Sequence, residues 1–179
     1  HNLYFDYLKQ RSHIGFLYRK FWLYPRLNHF LQGNTLDVGC GIGDLLACRK
    51  NTIGVDINKK MVDWCLTQGY SVELMQIDKL PYADSSFDSV IMDNVLEHII
   101  EPQAILNEVK RVLVDKGVFV IGVPGSLGYS RDPDHKVFYS KHKLVETLNK
   151  LGFSEKKVFA MPFNLMRLEK IISQYCIYG

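Results

Sequence analysis

The residues of this chain best suited to chemistry are carboxylates set at the ends of apolar runs, two histidines, and bare backbone between them. Asp56, Asp78 and Asp93 each follow a short apolar or β-branched run, and Gly39, Gly41 and Gly43 stand at alternate positions behind Thr35-Leu36-Asp37-Val38. Alternate glycines remove the Cβ wall, so a ligand can lie against the main chain. A carboxylate such as Asp56 only accepts hydrogen bonds, which suits a pair of sugar hydroxyls. The imidazoles of His98 and His135 can take a proton from an acceptor, as Asp93 can. Tyr129 and Tyr139 are weaker candidates for that task.

The glycine spacing restricts the ligand. A dinucleotide loop of the form G-x-G-x-x-G needs a third glycine at position 44, where this chain has Asp44. A carboxylate at that helix start repels a pyrophosphate and competes for the same N–H groups. The phosphate loop G-x-x-x-x-G-K-[ST] is absent as well. The expected ligand carries a ribose and no phosphate at the loop. A nicotinamide-dependent oxidoreductase is therefore a disfavoured alternative.

The elements that must position these groups follow from periodicity and breakers. Strands are expected at Thr35–Val38, Thr52–Asp56, Ser71–Ile77, Ser89–Asp93, Val118–Val123 and Glu155–Met161. Helices are expected at Asp44 to about Lys50, Asn58–Gln68, Gln103–Leu113, Ser140–Lys150 and Asn164–Ser173. The acidic and basic residues of Gln103–Leu113 are expected to face outward. Lys116-Gly117 reads as a turn, and 124–133 as the longest irregular loop, suited to a substrate lid. Gln174–Tyr178 reads as the start of a last strand. Alternating strands and helices imply a mostly parallel sheet covered on both faces, with ligands at the carboxyl ends of its strands.

Residues 1–33 are aromatic and basic, and two short helices broken at Pro25 are expected there as an N-terminal helical cap. Residues 34–179 then form the catalytic domain, within one compact domain overall. The cap packs on that domain or meets a membrane or lipid-linked substrate through an interfacial helix.

Length and composition add limits. The 179 residues suffice for one α/β domain, and 47% hydrophobic with 23% charged residues is an ordinary globular balance. The net charge of +3, unclustered, does not argue for a nucleic-acid partner. Cys40, Cys48, Cys65 and Cys176 show no paired spacing, which favours a reducing compartment over a disulfide framework. No apolar run is long enough to span a membrane and no signal peptide is visible, so the cytoplasm is the expected location. The chain starts at His1, and an N-terminus further upstream is expected. No metal site is expected: Asp132, Asp134 and His135 have no second ligand cluster beside them, and the two acids can serve as turn caps.

Taken in order, the motifs resemble the class I S-adenosylmethionine-dependent methyltransferases. Leu36-Asp37-Val38-Gly39-Cys40-Gly41-Ile42-Gly43 looks like their first motif, and Asp56 in Gly54-Val55-Asp56-Ile57 matches their ribose-binding acid. Asp78-Lys79-Leu80-Pro81, Ser86-Phe87-Asp88, Val95-Leu96-Glu97-His98, and Glu108 to Leu113 before Lys116-Gly117 are similar to their later blocks. The resemblance covers about 36–161. It implies a Rossmann-like three-layer α/β sandwich with a mostly parallel seven-stranded sheet, its last strand here short or missing. The implied cofactor is S-adenosylmethionine, leaving as S-adenosylhomocysteine, and the implied acceptor is a small molecule or glycan, methylated at oxygen or nitrogen.

The resemblance also implies roles. The backbone of Gly39, Cys40 and Gly41 faces the methionine part, with Asp37 supporting the loop. Asp56 holds the ribose and Ile57 flanks the adenine. Asp78 accepts from the adenine amino group, with the backbone of Lys79 and Leu80 beside it. Asp93, Asn94 and His98 lie near the methyl group. A cofactor-binding module without catalysis, acting in an assembly, is the alternative from another class. Only thirteen positions lead from Gly43 to Asp56, fewer than the family usually has, so the first helix must be shortened.

Overall fold

The strands that carry the glycine loop and Asp56 are β1 (Thr35–Val38) and β2 (Thr52–Asp56), paired in parallel with Thr35 opposite Thr52 and Val38 opposite Val55. The computed structural model describes residues 13–161 and 176–179. The expected helix Asn164–Ser173 lies outside the described residues.

Before β1 the chain is helical through α1 (His13–Tyr18), a π-helical stretch Arg19–Leu23, and α2 (Tyr24–Asn28). The expected break at Pro25 does not occur. Proline lacks an N–H and its ring presses on the carbonyl four residues back. The wider π turn just before it, closed by the Tyr24 N–H on the Arg19 carbonyl, accommodates both, and Pro25 sits in the first turn of α2.

After β2 come α3 (Lys59–Thr67), β3 (Val72–Leu74), β4 (Phe87–Asp93), a 3₁₀ turn Leu96–His98, and α4 (Gln103–Val112). Then follow β5 (Leu113–Pro124), α5 (Ser126–Tyr129), α6 (Lys141–Lys150), β6 (Phe159–Met161) and β7 (Cys176–Tyr178). The sheet order is β3-β2-β1-β4-β5-β7-β6, with β7 antiparallel to both β5 and β6. The fold is the expected Rossmann-like sheet, and its last strand is three residues long. β3 and β6 are shorter than the sequence suggests. β5 starts earlier, and the expected turn survives inside it as Lys116 at φ +60°.

The expected helix 44–50 is reduced to overlapping turns. Two bonds of helical spacing remain, Ala47 N–H to the Gly43 carbonyl and Arg49 N–H to that of Leu45. So short a link leaves no length for a regular helix. α3 forms as its pattern dictates: Asn58 caps it by accepting from the Lys60 N–H, and Met61, Val62 and Cys65 are buried. Ser140 caps α6 in the same way through the Lys143 N–H.

The chain divides into two compact units. The first comprises His1–Ile91 and Glu108–Phe119, the second Met92–Asn107 and Val120–Gly179. In the first, Leu36, Val55, Met61, Cys65, Val90 and Ile91 form buried core. In the second, Leu96, Ile105, Leu106, Ile121, Leu144 and Tyr178 do so.

Candidate active site

In the first unit the glycine loop leaves the carboxyl end of β1 in left-handed conformation, with φ +75° at Gly39, +56° at Gly41 and +84° at Gly43. A side chain is disfavoured there, and a Cβ at Gly43 would also strike the Tyr70 ring at 2.8 Å. The Gly39 and Cys40 N–H groups donate to the Val55 carbonyl, and the Gly41 N–H donates to Asp56 Oδ2 at 2.9 Å. Asp56 Oδ1 accepts from the Asn58 N–H at 2.8 Å. Asp56 thus ties the loop to the start of α3, a bracing role that its sequence position did not reveal. Burial pushes its carboxyl upward, partly opposed by the backbone N–H groups of Asn58, Gly41 and Ile57.

Asp37 is buried on β1. The Cys40 thiol is held protonated by its hydrogen bond with Cys65, by burial, and by the carboxylates of Asp37 and Asp56. Cys40 therefore serves the loop through its backbone and not as a nucleophile. Ile57, at the end of β2, is half exposed.

Asp78 stands exposed on a turn closed by a bridge between Gln76 and Lys79. The Leu80 N–H is already spent on Glu108 Oε2 at 2.9 Å, so Leu80 acts there by placement and not as a donor. Glu108 is itself gripped by Arg111 through Nε at 2.6 Å and a second nitrogen at 2.7 Å. Arg111 also donates to the Tyr82 and Leu80 carbonyls and to Asp84. The Arg111 guanidinium holds the Glu108 carboxyl down to about 2. The acidic and basic residues of α4 were expected outward; these two instead clamp the segment that carries Asp78. Their i, i+3 spacing is the signal that could have found them.

In the second unit β4 ends at Asp93, whose Oδ1 accepts from the Tyr178 hydroxyl at 2.8 Å and the Asn94 amide at 2.9 Å. Asn94 takes φ +56°, a conformation asparagine tolerates, and its N–H donates to the Gly122 carbonyl. A Cβ on Gly122 would strike the Tyr178 ring and lie 2.7 Å from Asp93 Oδ1. Asp93 is thus a carboxylate fixed in orientation by Tyr178 and Asn94.

Beyond it, the 3₁₀ turn presents Glu97 and His98, and the loop after α5 brings His135 to them. The His98 and His135 rings lie 4.9 Å apart, and His135 stacks on Tyr129 at 5.2 Å. His98 Nδ1 bonds the Asp134 carbonyl at 3.2 Å, and His135 Nδ1 the Tyr129 carbonyl at 2.8 Å. A carbonyl only accepts, so each Nδ1 carries the proton, which leaves the His135 Nε2 as the unprotonated nitrogen facing Glu97. Burial lowers the His98 pKa, with His135 adding to the shift and the Asp134 carbonyl opposing it. The loop is fastened: the Lys136 and Val137 N–H groups both donate to the Glu97 carbonyl. Tyr139 is buried, which raises its pKa, as does the nearby Glu97.

Glu97 was quoted in a motif but given no role. It is fully buried, and neither carboxylate oxygen has a hydrogen-bond partner. Burial pushes its carboxyl up to about 8, with Asp93 and Asp132 adding to the shift and its own backbone N–H opposing it.

A loop of left-handed glycines, a buried acid at the next strand end, and a sheet of this order define a nucleoside-binding enzyme fold. A methyltransferase domain model matches residues 36–121. An uncharacterised protein of Methanocaldococcus jannaschii is 31% identical over 140 residues, 72% of this chain and 68% of that one. A probable S-adenosylmethionine-dependent methyltransferase of Mycolicibacterium smegmatis is 29% identical over 163 residues, covering 80% of this chain and 63% of that one. Among solved structures, an S-adenosylmethionine-dependent methyltransferase from Thermotoga maritima superposes with TM-score 0.78 at 20% identity, over 99% of this chain and 97% of that one. One from Aquifex aeolicus gives 0.71 at 20% identity, over 90% of each chain. The chain belongs to the class I S-adenosylmethionine-dependent methyltransferase family. It spans about two thirds of the length of the first two curated relatives and less than half of a Mycobacterium tuberculosis one.

The residues present fit the family cofactor. Each Asp56 oxygen accepts one backbone N–H and retains capacity for a ribose hydroxyl. The carboxylates Asp44 and Asp56 at this loop disfavour a phosphorylated ligand.

Proposed function

We propose that this chain transfers a methyl group from S-adenosylmethionine to a small-molecule or glycan acceptor, at oxygen or nitrogen. The observation that carries this reading is the bracing of Gly41 by Asp56, which sets bare backbone and a ribose-ready carboxylate side by side. In this reading Gly39, Cys40 and Gly41 line the methionine end, above the buried Asp37. Ile57 flanks the adenine. Asp78 accepts from its amino group, held in place with Lys79 and Leu80 by the Glu108–Arg111 clamp. Asn94 adds a polar group at the end of β4.

The cofactor, when bound, supplies an electrophilic sulfonium methyl. The chain's own task is to hold the acceptor in line with it and to exclude water, the entropic part of catalysis. A hydroxyl or amine acceptor must also give up a proton. The groups for that are His98 and His135, whose imidazoles are held through Nδ1, and Asp93, oriented by Tyr178 and Asn94.

Where the acceptor is met is suggested by the N-terminal helices. Phe16, Leu17, Phe21 and Trp22 are exposed, with Lys20 near the Phe16 and Phe21 rings and Arg26 3.5 Å above Trp22. Such an aromatic and basic face supports peripheral contact with a membrane or a lipid-linked acceptor. No described helix is long and apolar enough to cross a membrane. Cys40, Cys48 and Cys65 are free thiols, which agrees with a cytoplasmic setting.

The test is calorimetric titration with S-adenosylmethionine and S-adenosylhomocysteine, followed by mass spectrometry over a panel of hydroxyl and amine acceptors. Binding of both, lost in Asp56→Ala, together with a product heavier by one methylene, is expected. Absence of binding overturns the reading, and binding without transfer to any acceptor points to the non-catalytic module.

A further inference from the structure

We propose that Glu97, His98 and His135 form a binding site for one divalent transition-metal ion. One ligand atom from each residue lies within 4.8 Å of the others. His135 Nε2 is 3.7 Å from Glu97 Oε1 and 4.0 Å from Asp132 Oδ2. These separations are too long for hydrogen bonds. They approach the roughly 3.4 Å between two ligands that each sit about 2.1 Å from a common tetrahedral ion. The sequence suggested no metal, because Glu97 and His98 are remote in the chain from Asp132 and His135.

The independent observation is the state of Glu97. A carboxyl group sealed from water with no hydrogen-bond partner for either oxygen is costly, because a buried polar group requires a partner or a ligand. The neighbouring groups do not supply the pairing. The imidazoles point their protons away, Nδ1–H of His98 to the Asp134 carbonyl and Nδ1–H of His135 to that of Tyr129. For His135 that arrangement fixes the tautomer whose Nε2 faces Glu97 and can ligate a metal. Asp132 is oriented as well, since its Oδ1 accepts from the Asp134 N–H while Oδ2 faces His135. Two imidazoles and a carboxylate select zinc, manganese, iron(II), cobalt or nickel over magnesium or calcium, which prefer all-oxygen sites.

Three protein ligands leave a coordination position open. The part the ion plays in catalysis rests on the methyltransferase reading: an acceptor hydroxyl bound there becomes more acidic and releases its proton to water, leaving the oxygen as nucleophile. The imidazole lone pairs are then spent on the ion and not on the proton.

The experiment uses the full chain, stripped with chelator and titrated with Co²⁺ by visible absorption and with Zn²⁺ by calorimetry, without cofactor or acceptor. Its outcome is therefore independent of methyl transfer. One equivalent bound with d–d bands is expected. Affinity should fall at least tenfold in Glu97→Gln and His135→Ala and stay unchanged in His142→Ala, which removes an exposed histidine on α6. Glu97→Gln conserves volume and removes the ionisable carboxyl ligand. A thermal melt should show it folded, with the wild type stabilised by Zn²⁺ and the variant not. No binding by the wild type, or equal binding by the wild type and Glu97→Gln, overturns the proposal.

Discussion

Asp56, the last residue of β2, and Glu97, in the 3₁₀ turn after β4, both carry buried carboxyl groups, and they are treated oppositely. Each Asp56 oxygen accepts a backbone N–H, whereas neither Glu97 oxygen accepts anything. The first is the pattern of a group that shapes a binding loop and leaves spare acceptor capacity. The second is the pattern of a group whose burial is compensated by taking up a proton or, under the proposal above, by a bound metal ion. One chain thus holds a hydrogen-bonded carboxylate in its first unit and an unpartnered carboxyl group in its second.

The sharpest way to break this contrast is Asp56→Ala. Losing the brace and the ribose acceptor should weaken S-adenosylhomocysteine binding by about two orders of magnitude, given roughly 1.5–3 kcal/mol for each charge-assisted bond. Calorimetry reads the change directly. Next is Gly122→Ala, whose Cβ would meet both the Tyr178 ring and Asp93. Overpacking of this kind costs about 1–3 kcal/mol, seen as a lower urea midpoint, and it should disturb the second unit's carboxylate while leaving cofactor affinity largely intact.

Arg111→Ala should loosen the Asp78 segment and destabilise the fold by about 1–3 kcal/mol, with weakened adenine recognition in the binding isotherm. The same clamp predicts a pH effect. Glu108 titrates near 2 when folded against an ordinary 4.5, so its contribution is complete above about 4.5. It is lost as pH falls from there toward about 2, because the unfolded state takes up the proton first. Urea melts at pH 6, 4 and 3 should therefore converge for wild type and Glu108→Gln. The smallest effect belongs to Ser140→Ala at the start of α6, about 1 kcal/mol from a lost cap, with no change in binding.

The glycine loop and the acid that braces it were legible in the sequence, and the Glu97 cluster largely was not. Three alternate glycines and an acid at a strand end are local signals, and strand periodicity places them together. Glu97 stands in the Val95–His98 motif, and nothing near it in the chain marks it until the distant Asp132–Val137 loop is folded over it. Glu108 and Arg111 misled for a similar reason. On an amphipathic helix, charge suggests solvent, and only tertiary structure supplies the turn they hold. The helix broken at Pro25 and the helix after Gly43 failed on backbone geometry. A π turn absorbed the first, and a short connection left no room for the second.

The brace between Gly41 and Asp56 has a thermodynamic consequence. Because the loop's hydrogen bonds already exist in the free chain, nothing in that loop has to be frozen when a ligand arrives. The ordering penalty, about 0.5–1.5 kcal/mol for each side chain immobilised on binding, is largely avoided there. Association should be fast and should show the small heat-capacity change of rigid partners, the loop's entropy having been surrendered when the protein folded.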